Sequence, residues 1–271
     1  MAPTWFDLFK ALGLGLLDGT TEFVPLSASG HLLLAQRFLG LGGGNFGPDF
    51  VRVIRLAAWL ALLSVYLARL LRLAGGMFGD PMARRFVYGL AVAFLPALLV
   101  GALAHDLIMN ALSNLWIVCF ALIVGGTVLL WVDHPKPEPR WREATRFPLP
   151  MYFLIGVAQC LAFIPGLSRS GASIVAALLL GADRRAAAEF SLWLAMPTMA
   201  GAIAYDLYRT HGLSGGGNAI ILGIGFAASF AAALMVVRTF LDYVASRGLR
   251  FFAWWRVIVG SLGLIALAMG G

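Results

Sequence analysis

Arg169 stands in the middle of a long apolar run, inside Phe163-Ile164-Pro165-Gly166-Leu167-Ser168-Arg169-Ser170-Gly171-Ala172-Ser173. A lone charge at membrane depth costs at least ~2.5–3.5 kcal/mol on insertion scales. An anionic partner is therefore expected beside it. Roughly half a chain earlier lies a partial twin, Phe23-Val24-Pro25-Leu26-Ser27-Ala28-Ser29-Gly30. The two read alike with one residue inserted, which points to an internal duplication. The twin is flanked by Asp18, Glu22 and His31. One copy thus carries carboxylates and an imidazole, the other a guanidinium and hydroxyls. The chemistry this suits is the holding of a phosphate where the copies meet.

The residue types assign provisional parts. Ser168 to Ser173 precede an apolar run and are expected to open a helix. Its free N–H groups, the hydroxyls of Ser168, Ser170 and Ser173 and the fork of Arg169 would cradle phosphate oxygens. Gly166 and Gly171 let backbone come close. Small-residue helix packing would explain Gly, Ser and Ala here, but not Arg169. Asp18 and Glu22 are four apart, so on a helix they share a face and can share a divalent cation. His31 titrates near neutrality and suits proton transfer. His105, His134 and His211 fall at span ends or in loops and are treated as background. Glu189 and Asp206 are read as structural, paired with Arg184 or Arg209.

The elements that must position these residues belong to a membrane. The 271 residues are 61% hydrophobic and only 12% charged, with several apolar runs near the ~20 residues that cross a bilayer. The net charge of +7 falls mostly between apolar runs, as the positive-inside rule requires. Basic tracts, RNA-binding motifs and zinc-finger spacings are missing from the sequence, so no nucleic-acid partner is expected. Cys119 and Cys160 sit singly in apolar runs and are read as buried thiols. The N-terminus lacks the basic region and cleavage pattern of a signal peptide, so the first apolar segment is expected to be retained.

The fold class expected is all-α and integral to the membrane: one domain made of an inverted repeat. Short arms at 5–17 and 31–41 flank the first motif, and arms at 150–163 and 174–182 flank the second. Too short to span, each pair reads as a re-entrant hairpin. Full spans are expected at 53–72, 87–105 and 114–132, then at 189–206, 219–237 and 252–270. Leu41 to Pro48 is a loop. The proline-rich stretch 133–150 is the linker, on the cytoplasmic side, between repeats 1–132 and 151–271. Arg69, Arg72, Arg84, Arg85, Lys136, Arg140, Arg142, Arg146, Arg184, Arg185, Arg238, Arg247 and Arg250 are basic loop residues. The 106–113 loop has neither Lys nor Arg. All basic loops share one side only if the first hairpin enters from outside and the second from the cytoplasm. Trp131, Trp141, Trp254 and Trp255 are placed as interfacial anchors.

At the two motifs the chain resembles the bacterial undecaprenyl-diphosphate phosphatases, the bacitracin-resistance family. That family's E-G-x-T-E-F-x-P-V-S-S-T-G-H is matched by Asp18 to His31, and its P-G-x-S-R-S-G-A-T by Pro165 to Ser173. Ala187-Ala188-Glu189-Phe190-Ser191 and Asp206-Leu207-Tyr208 extend the likeness over essentially the whole chain. The resemblance implies hydrolysis of undecaprenyl diphosphate to the monophosphate, recycling the lipid carrier of cell-wall synthesis. It implies a divalent cation, usually magnesium or calcium. It also implies an inner-membrane location with the site facing the periplasm. It assigns Glu22, His31 and Arg169 to the family's glutamate, histidine and phosphate-binding arginine, and Ser27, Ser168, Ser170 and Ser173 to hydroxyl positions. Asp18 replaces a glutamate. Ala28 replaces a serine proposed as nucleophile, which leaves Ser27, Ser29 or a water as attacker. Arg55 and Val51 stand where the family usually has Gln and Glu. Two rival readings are a polyprenyl-phosphate flippase and a lipid-diphosphate binder without turnover. A homodimer is compatible with all three.

Overall fold

The structure, a computed structural model, describes residues 3–40, 46–112, 114–133, 138–210 and 218–270; from 104 to 112 it describes the backbone alone. The expected loop Leu41–Pro48 falls largely outside these residues, as do Lys136, His134 and His211 and the side chain of His105. Ten α-helices follow one another among the described residues. They are α1 (Trp5–Thr21), α2 (Ala28–Phe38), α3 (Pro48–Gly76), α4 (Pro81–Leu112), α5 (Leu115–Val132), α6 (Leu149–Gln159), α7 (Arg169–Leu179), α8 (Arg184–Arg209), α9 (Ala219–Arg247) and α10 (Arg250–Ala268). Among the described residues the only β-type pairing is one isolated bridge, Trp141 to Ala182.

Six helices, α3, α4, α5, α8, α9 and α10, are long and apolar enough to cross a membrane. The protein is a multi-pass membrane protein, with one helix at each of the six expected spans. Most of these helices run longer than their apolar runs, because polar caps extend them into the flanking sequence. α4 reaches Leu112, so most of the expected 106–113 loop is helical. Asn114, Asp183 and Asn218 accept an N–H of the first turn of α5, α8 and α9, and Pro48 pre-sets the first turn of α3. Thr4 and Asp7 form a capping box on α1 that holds the Asp7 carboxyl below its usual range, chiefly through the Thr4 hydroxyl. Pro96 and Pro197 lie within α4 and α8.

The four short helices α1, α2, α6 and α7 form two pairs, each broken at a motif. Lys10 of α1 donates to the Gly40 carbonyl just past α2 at 3.2 Å. That open end lies at the same end of the molecule as the start of α3 and the end of α8, joined by Arg52 and Asp206 at 2.6 Å. The open end of the α6–α7 pair is at the opposite end. There the Arg140 N–H donates to Gly181 at 2.8 Å and the Asp183 N–H to Trp141 at 2.9 Å. Arg69–Glu189, Arg185–Asp242 and Arg184–Asp133 tie α3, α5, α8 and α9 at that same end. Glu189 and Asp206 are structural, as expected, but pair with Arg69 and Arg52 rather than Arg184 and Arg209. Arg184 is taken by Asp133 at 2.7 Å, because both flank the short turn at Gly248. The described part of the proline-rich stretch packs rather than floats: Ala144 and Phe147 are buried, and Tyr152 donates to the Ala144 carbonyl at 2.7 Å.

Packing follows a reciprocal scheme. α1 lies along α9 and α6 along α4; α3 also meets α9, and α8 meets α4. α5 packs on α10 and α3 on α8. Lipid offers little hydrophobic drive between helices, so close approach needs small residues. Gly15 and Gly19 of α1 face Gly225, Ala228, Ser229 and Ala232 of α9, and Gly156 of α6 faces Ala93 of α4. A Cβ on Gly19 would sit 2.3 Å from the Ser229 carbonyl oxygen, whereas one on Gly13 would meet nothing within 4 Å. Gly19→Ala is therefore expected to lower stability in detergent by about 1–3 kcal/mol, the usual range for overpacking. Gly13→Ala should leave the thermal midpoint unchanged or slightly raised. Thermal unfolding of the two variants beside the parent checks this.

Candidate functional site

The two breaks meet inside the bundle. The first, residues 22–27, leaves α1 at Glu22 and enters α2 through Ser27, whose backbone is left-handed at φ 75°. The second leaves α6 through a 3-10 turn at Cys160–Phe163, turns at Gly166 with φ 98°, and enters α7 under the cap of Ser168. A Cβ on Gly30 would be 3.2 Å from the Gly166 Cα, and one on Gly171 3.5 Å from the Pro25 Cβ. Gly166 has a double reason to be glycine: its φ, and the Val118 carbonyl oxygen 2.4 Å from where a Cβ would stand.

Glu22 and Arg169 form an ion pair, Oε1 to Nη2 at 3.2 Å, with both side chains about 15% exposed. The same guanidinium reaches the Glu22 carbonyl at 3.4 Å and the Ala195 carbonyl on α8 at 3.2 Å. The anionic partner that Arg169 requires is thus the carboxylate of the other motif. A hydroxyl relay runs alongside. The Gly171 N–H donates to Ser168 Oγ at 3.1 Å, and Ser168 and Ser170 share a hydrogen bond at 2.9 Å. Ser170 donates to the Val24 carbonyl at 2.7 Å. Ser168 and Ser170 are therefore brought to the pair, with their hydroxyls knitting one break to the other. The N–H groups of Arg169 and Ser170 lead the first turn of α7 and have no partner among the described residues, as first-turn donors generally lack one within a helix.

Ser173 is buried one turn on. Its hydroxyl lies 2.9 Å from Ser191 Oγ on α8 and 3.1 Å from the Arg169 and Ser170 carbonyls. It braces α7 on α8. Asp18 is fully buried and faces α9 and α3. Its Oδ2 accepts from Ser229 at 3.2 Å, and Ser229 also reaches the Ile54 carbonyl at 2.8 Å. Its Oδ1 has no partner among the described residues. Arg55, next to Ile54, is close enough to act electrostatically on Asp18 and on Arg169. Asp18 and Glu22 are the pair of oxygen donors available to a hard cation. No third His, Cys, Asp or Glu joins them among the described residues, so a bound cation would complete its shell with water or phosphate oxygens.

His31 is buried and engaged at both ring nitrogens. Trp255 Nε1–H can only donate, and it donates to Nε2 at 2.9 Å. The ring proton therefore sits on Nδ1, 3.0 Å from the Ser27 carbonyl that accepts it. Ser27 Oγ is buried without a partner among the described residues, while Ser29 is half-buried in the first turn of α2. Two further residues touch the site and were not anticipated in that role. One is Trp255, read from the sequence as an interfacial anchor. The other is Arg256, 1% exposed, which donates to Pro25 at 3.2 Å, Gly166 at 3.0 Å and Ala121 at 3.3 Å. Cys119 and Cys160 are free thiols away from this network, Cys119 buried and Cys160 half-buried.

The model of one protein family, described as bacitracin resistance protein BacA, matches residues 11–262. The chain belongs to that family. A protein of Rhodopseudomonas palustris (strain BisB5) named undecaprenyl-diphosphatase is 59% identical over 265 residues, covering 98% of this chain and 99% of its own. Proteins of the same name from Afipia carboxidovorans and Nitrobacter winogradskyi are 57% and 56% identical, with 98% and 97% of this chain covered and 99% and 98% of their own. The family match runs through both breaks, so Glu22 and Arg169 both lie within the matched residues.

The ion pair generates a direct test. Glu22→Gln and Arg169→Gln should each destabilise the protein, since each leaves the opposite charge without its partner. The double variant should lose less than the two single losses together, with a coupling of ~0.5–3 kcal/mol. Denaturant unfolding in detergent for the four proteins measures it; additive losses would mean the two charges do not interact.

Proposed function

We propose that this protein is an undecaprenyl-diphosphate phosphatase that recycles the lipid carrier of cell-wall synthesis and so confers bacitracin resistance. The observation that carries this is the Glu22–Arg169 pair where two broken helices meet, in a chain 59% identical to a protein named for that activity. The reciprocal packing supports an inverted repeat: exchanging α1–α5 with α6–α10 maps the α1–α9 contact onto α6–α4 and the α3–α9 contact onto α8–α4. The opposite open ends of the two short pairs support re-entrant hairpins. The end that gathers Arg69, Arg84, Arg140, Arg184 and Arg247 is assigned to the cytoplasm. The first hairpin then opens to the periplasm of the inner membrane, and the substrate enters from that side.

On this reading Arg169 turns from Glu22 to the diphosphate, with the N–H groups that lead α7 beside it. These fixed donors offset charge that grows as the phosphoryl group transfers. Asp18 and Glu22 would hold a divalent cation, which supplies positive charge to the phosphate oxygens. The orphaned Asp18 Oδ1 is the kind of oxygen such an ion takes. Ser27 is the attacker we favour over Ser29. Its hydroxyl is buried without a partner among the described residues and its backbone is held in a strained left-handed conformation. His31 exchanges the proton through Nε2 once Trp255 lets go, or holds the Ser27 backbone through Nδ1. The prenyl tail lies along apolar helix faces toward lipid.

Purified protein should release inorganic phosphate from a polyprenyl diphosphate, and a chelator should abolish release until Mg2+ or Ca2+ is restored. Arg169→Ala and Glu22→Ala should each lower kcat/KM at least ~100-fold, about the loss when one preorganised charge partner is removed. Ser27→Ala should fall comparably and Ser29→Ala far less. Undiminished turnover in both Arg169→Ala and Glu22→Ala would reject the site. Lipid translocation in vesicles without phosphate release would select a flippase instead.

A further inference from the structure

Arg256 is the largest fully buried side chain among the described residues, and no described carboxylate lies within ion-pair distance of it. A cation buried without a counter-ion is costly, and an apolar side chain would fill the same volume at less cost. Its surroundings are nonetheless shaped for it. A Cβ on Gly125 of α5 would fall 1.9 Å from the Arg256 Nη2, and one on Gly171 would stand 3.1 Å from Nη1. α5 therefore opens a slot that admits the guanidinium and nothing larger. The fork then ends on three backbone carbonyls: Pro25 in the first break, Gly166 in the second, and Ala121 of α5. The Pro25 and Gly166 carbonyls lie in the breaks and would otherwise lack partners at membrane depth, while Ala121 lies within α5. The neighbouring Trp255 holds His31 at the same time.

We propose that Arg256 is a positioning residue: its guanidinium fastens the two breaks to each other and to α5, and so sets the spacing between the Glu22 and Arg169 sides of the site. The charge suits three carbonyl dipoles at once, which a lysine or an amide cannot span. The ties converge between the breaks, so losing them lets the motifs shift by fractions of an ångström without unfolding the bundle. Such a shift acts on the step that needs alignment rather than on capture of the lipid tail. The inference rests on the phosphatase reading for its readout, and the parent protein is the control that separates the two: a parent without turnover refutes the phosphatase reading and this inference with it, whereas an active parent leaves only Arg256 in question.

The test compares parent, Arg256→Gln, Arg256→Lys, Gly125→Ala and Gly125→Ala/Arg256→Gln, each as monodisperse full-length protein. Phosphate release from a polyprenyl diphosphate is measured on the folded fraction. Arg256→Gln should lose at least tenfold in kcat with KM within about threefold of the parent, as positioning loss predicts. Arg256→Lys should stay several-fold below the parent, since charge is restored but the fork is not. Gly125→Ala should lower kcat by displacing an intact Arg256, and should cost nothing further when Gln already stands at 256. Three results would each overturn the proposal: full kcat in Arg256→Gln, full rescue by lysine, or effects of Gly125→Ala and Arg256→Gln that multiply. Should Arg256→Gln fail to fold, Arg256→Lys and Gly125→Ala decide by the same kcat criterion.

Discussion

Backbone carbonyls freed by a broken helix have no water to turn to at membrane depth, and this constraint shapes the centre of the molecule. Each break leaves acceptors that its own helices cannot satisfy, and three side chains of the second half, Arg169, Ser170 and Arg256, supply the donors. Val24 is satisfied by Ser170, Glu22 by Arg169, and Pro25 and Gly166 together by Arg256. The donors carry positive charge or relay a proton, and the first break returns a carboxylate. A site for an anion thus arises from the same bonds that make two interrupted helices tolerable. With the breaks face to face, one guanidinium, Arg256, satisfies a carbonyl of each.

The rest of the bundle keeps those two breaks in register. Glycines set how near the helices come, because side chains of any size would hold the backbones apart. Gly15 and Gly19 bring α1 onto α9, Gly156 brings α6 onto α4, and Gly260 brings α10 onto the Cys119 carbonyl of α5. Ser229 then links α9 to α1 through Asp18 and to α3 through Ile54. Apart from Glu22–Arg169 at the centre, the inter-helix ion pairs among the described residues lie at the two ends, where Arg52–Asp206 and Arg69–Glu189 join α3 to α8 twice. An antiparallel pair pinned at both ends cannot slide, so the polar centre is carried by a frame of nearly fixed length.

Much of this was legible in the sequence because membranes impose simple composition rules. Six apolar runs near ~20 residues announce six spans, and a lone arginine in an apolar run demands an acid, which the twin motif supplies. Two kinds of feature were not legible. The first is the far partner of a polar residue. Ser168 and Ser170 read as free hydroxyls for a ligand, but spend their hydrogen bonds across the break. Glu189 and Asp206 read as neighbours of Arg184 and Arg209, yet pair with α3, more than 100 residues earlier in the chain. Nothing in local spacing encodes such distances. The second is the part played by Trp255 and Arg256. At the start of an apolar run, Trp and Arg look the same whether they anchor the interface or turn inward. The one usable signal was Gly125-Gly126 in α5, a gap with no turn to justify it, which the Arg256 guanidinium fills.

The geometry also bears on how such a centre could work. An alternating-access carrier exposes its site by rocking one repeat against the other about a fixed midpoint. In this protein the two breaks at the centre are tied to each other by side-chain bonds. Rocking would break the Ser170 bond to Val24 and at least one arm of Arg256, bonds that the hydrolase reading leaves in place. Hydrogen bonds from charged donors contribute about 1.5–3 kcal/mol each and neutral ones about 0.5–1.5 kcal/mol. Their joint loss, without water to replace them, sets a barrier that substrate binding would have to offset at each half-cycle. A hydrolase asks for the reverse: donors already in place, held by neighbours that do not move when charge develops. The Ser27 carbonyl, which accepts from Nδ1, keeps the tautomer of His31 fixed when Trp255 frees Nε2. A centre tied this way favours chemistry at one fixed face over passage between two.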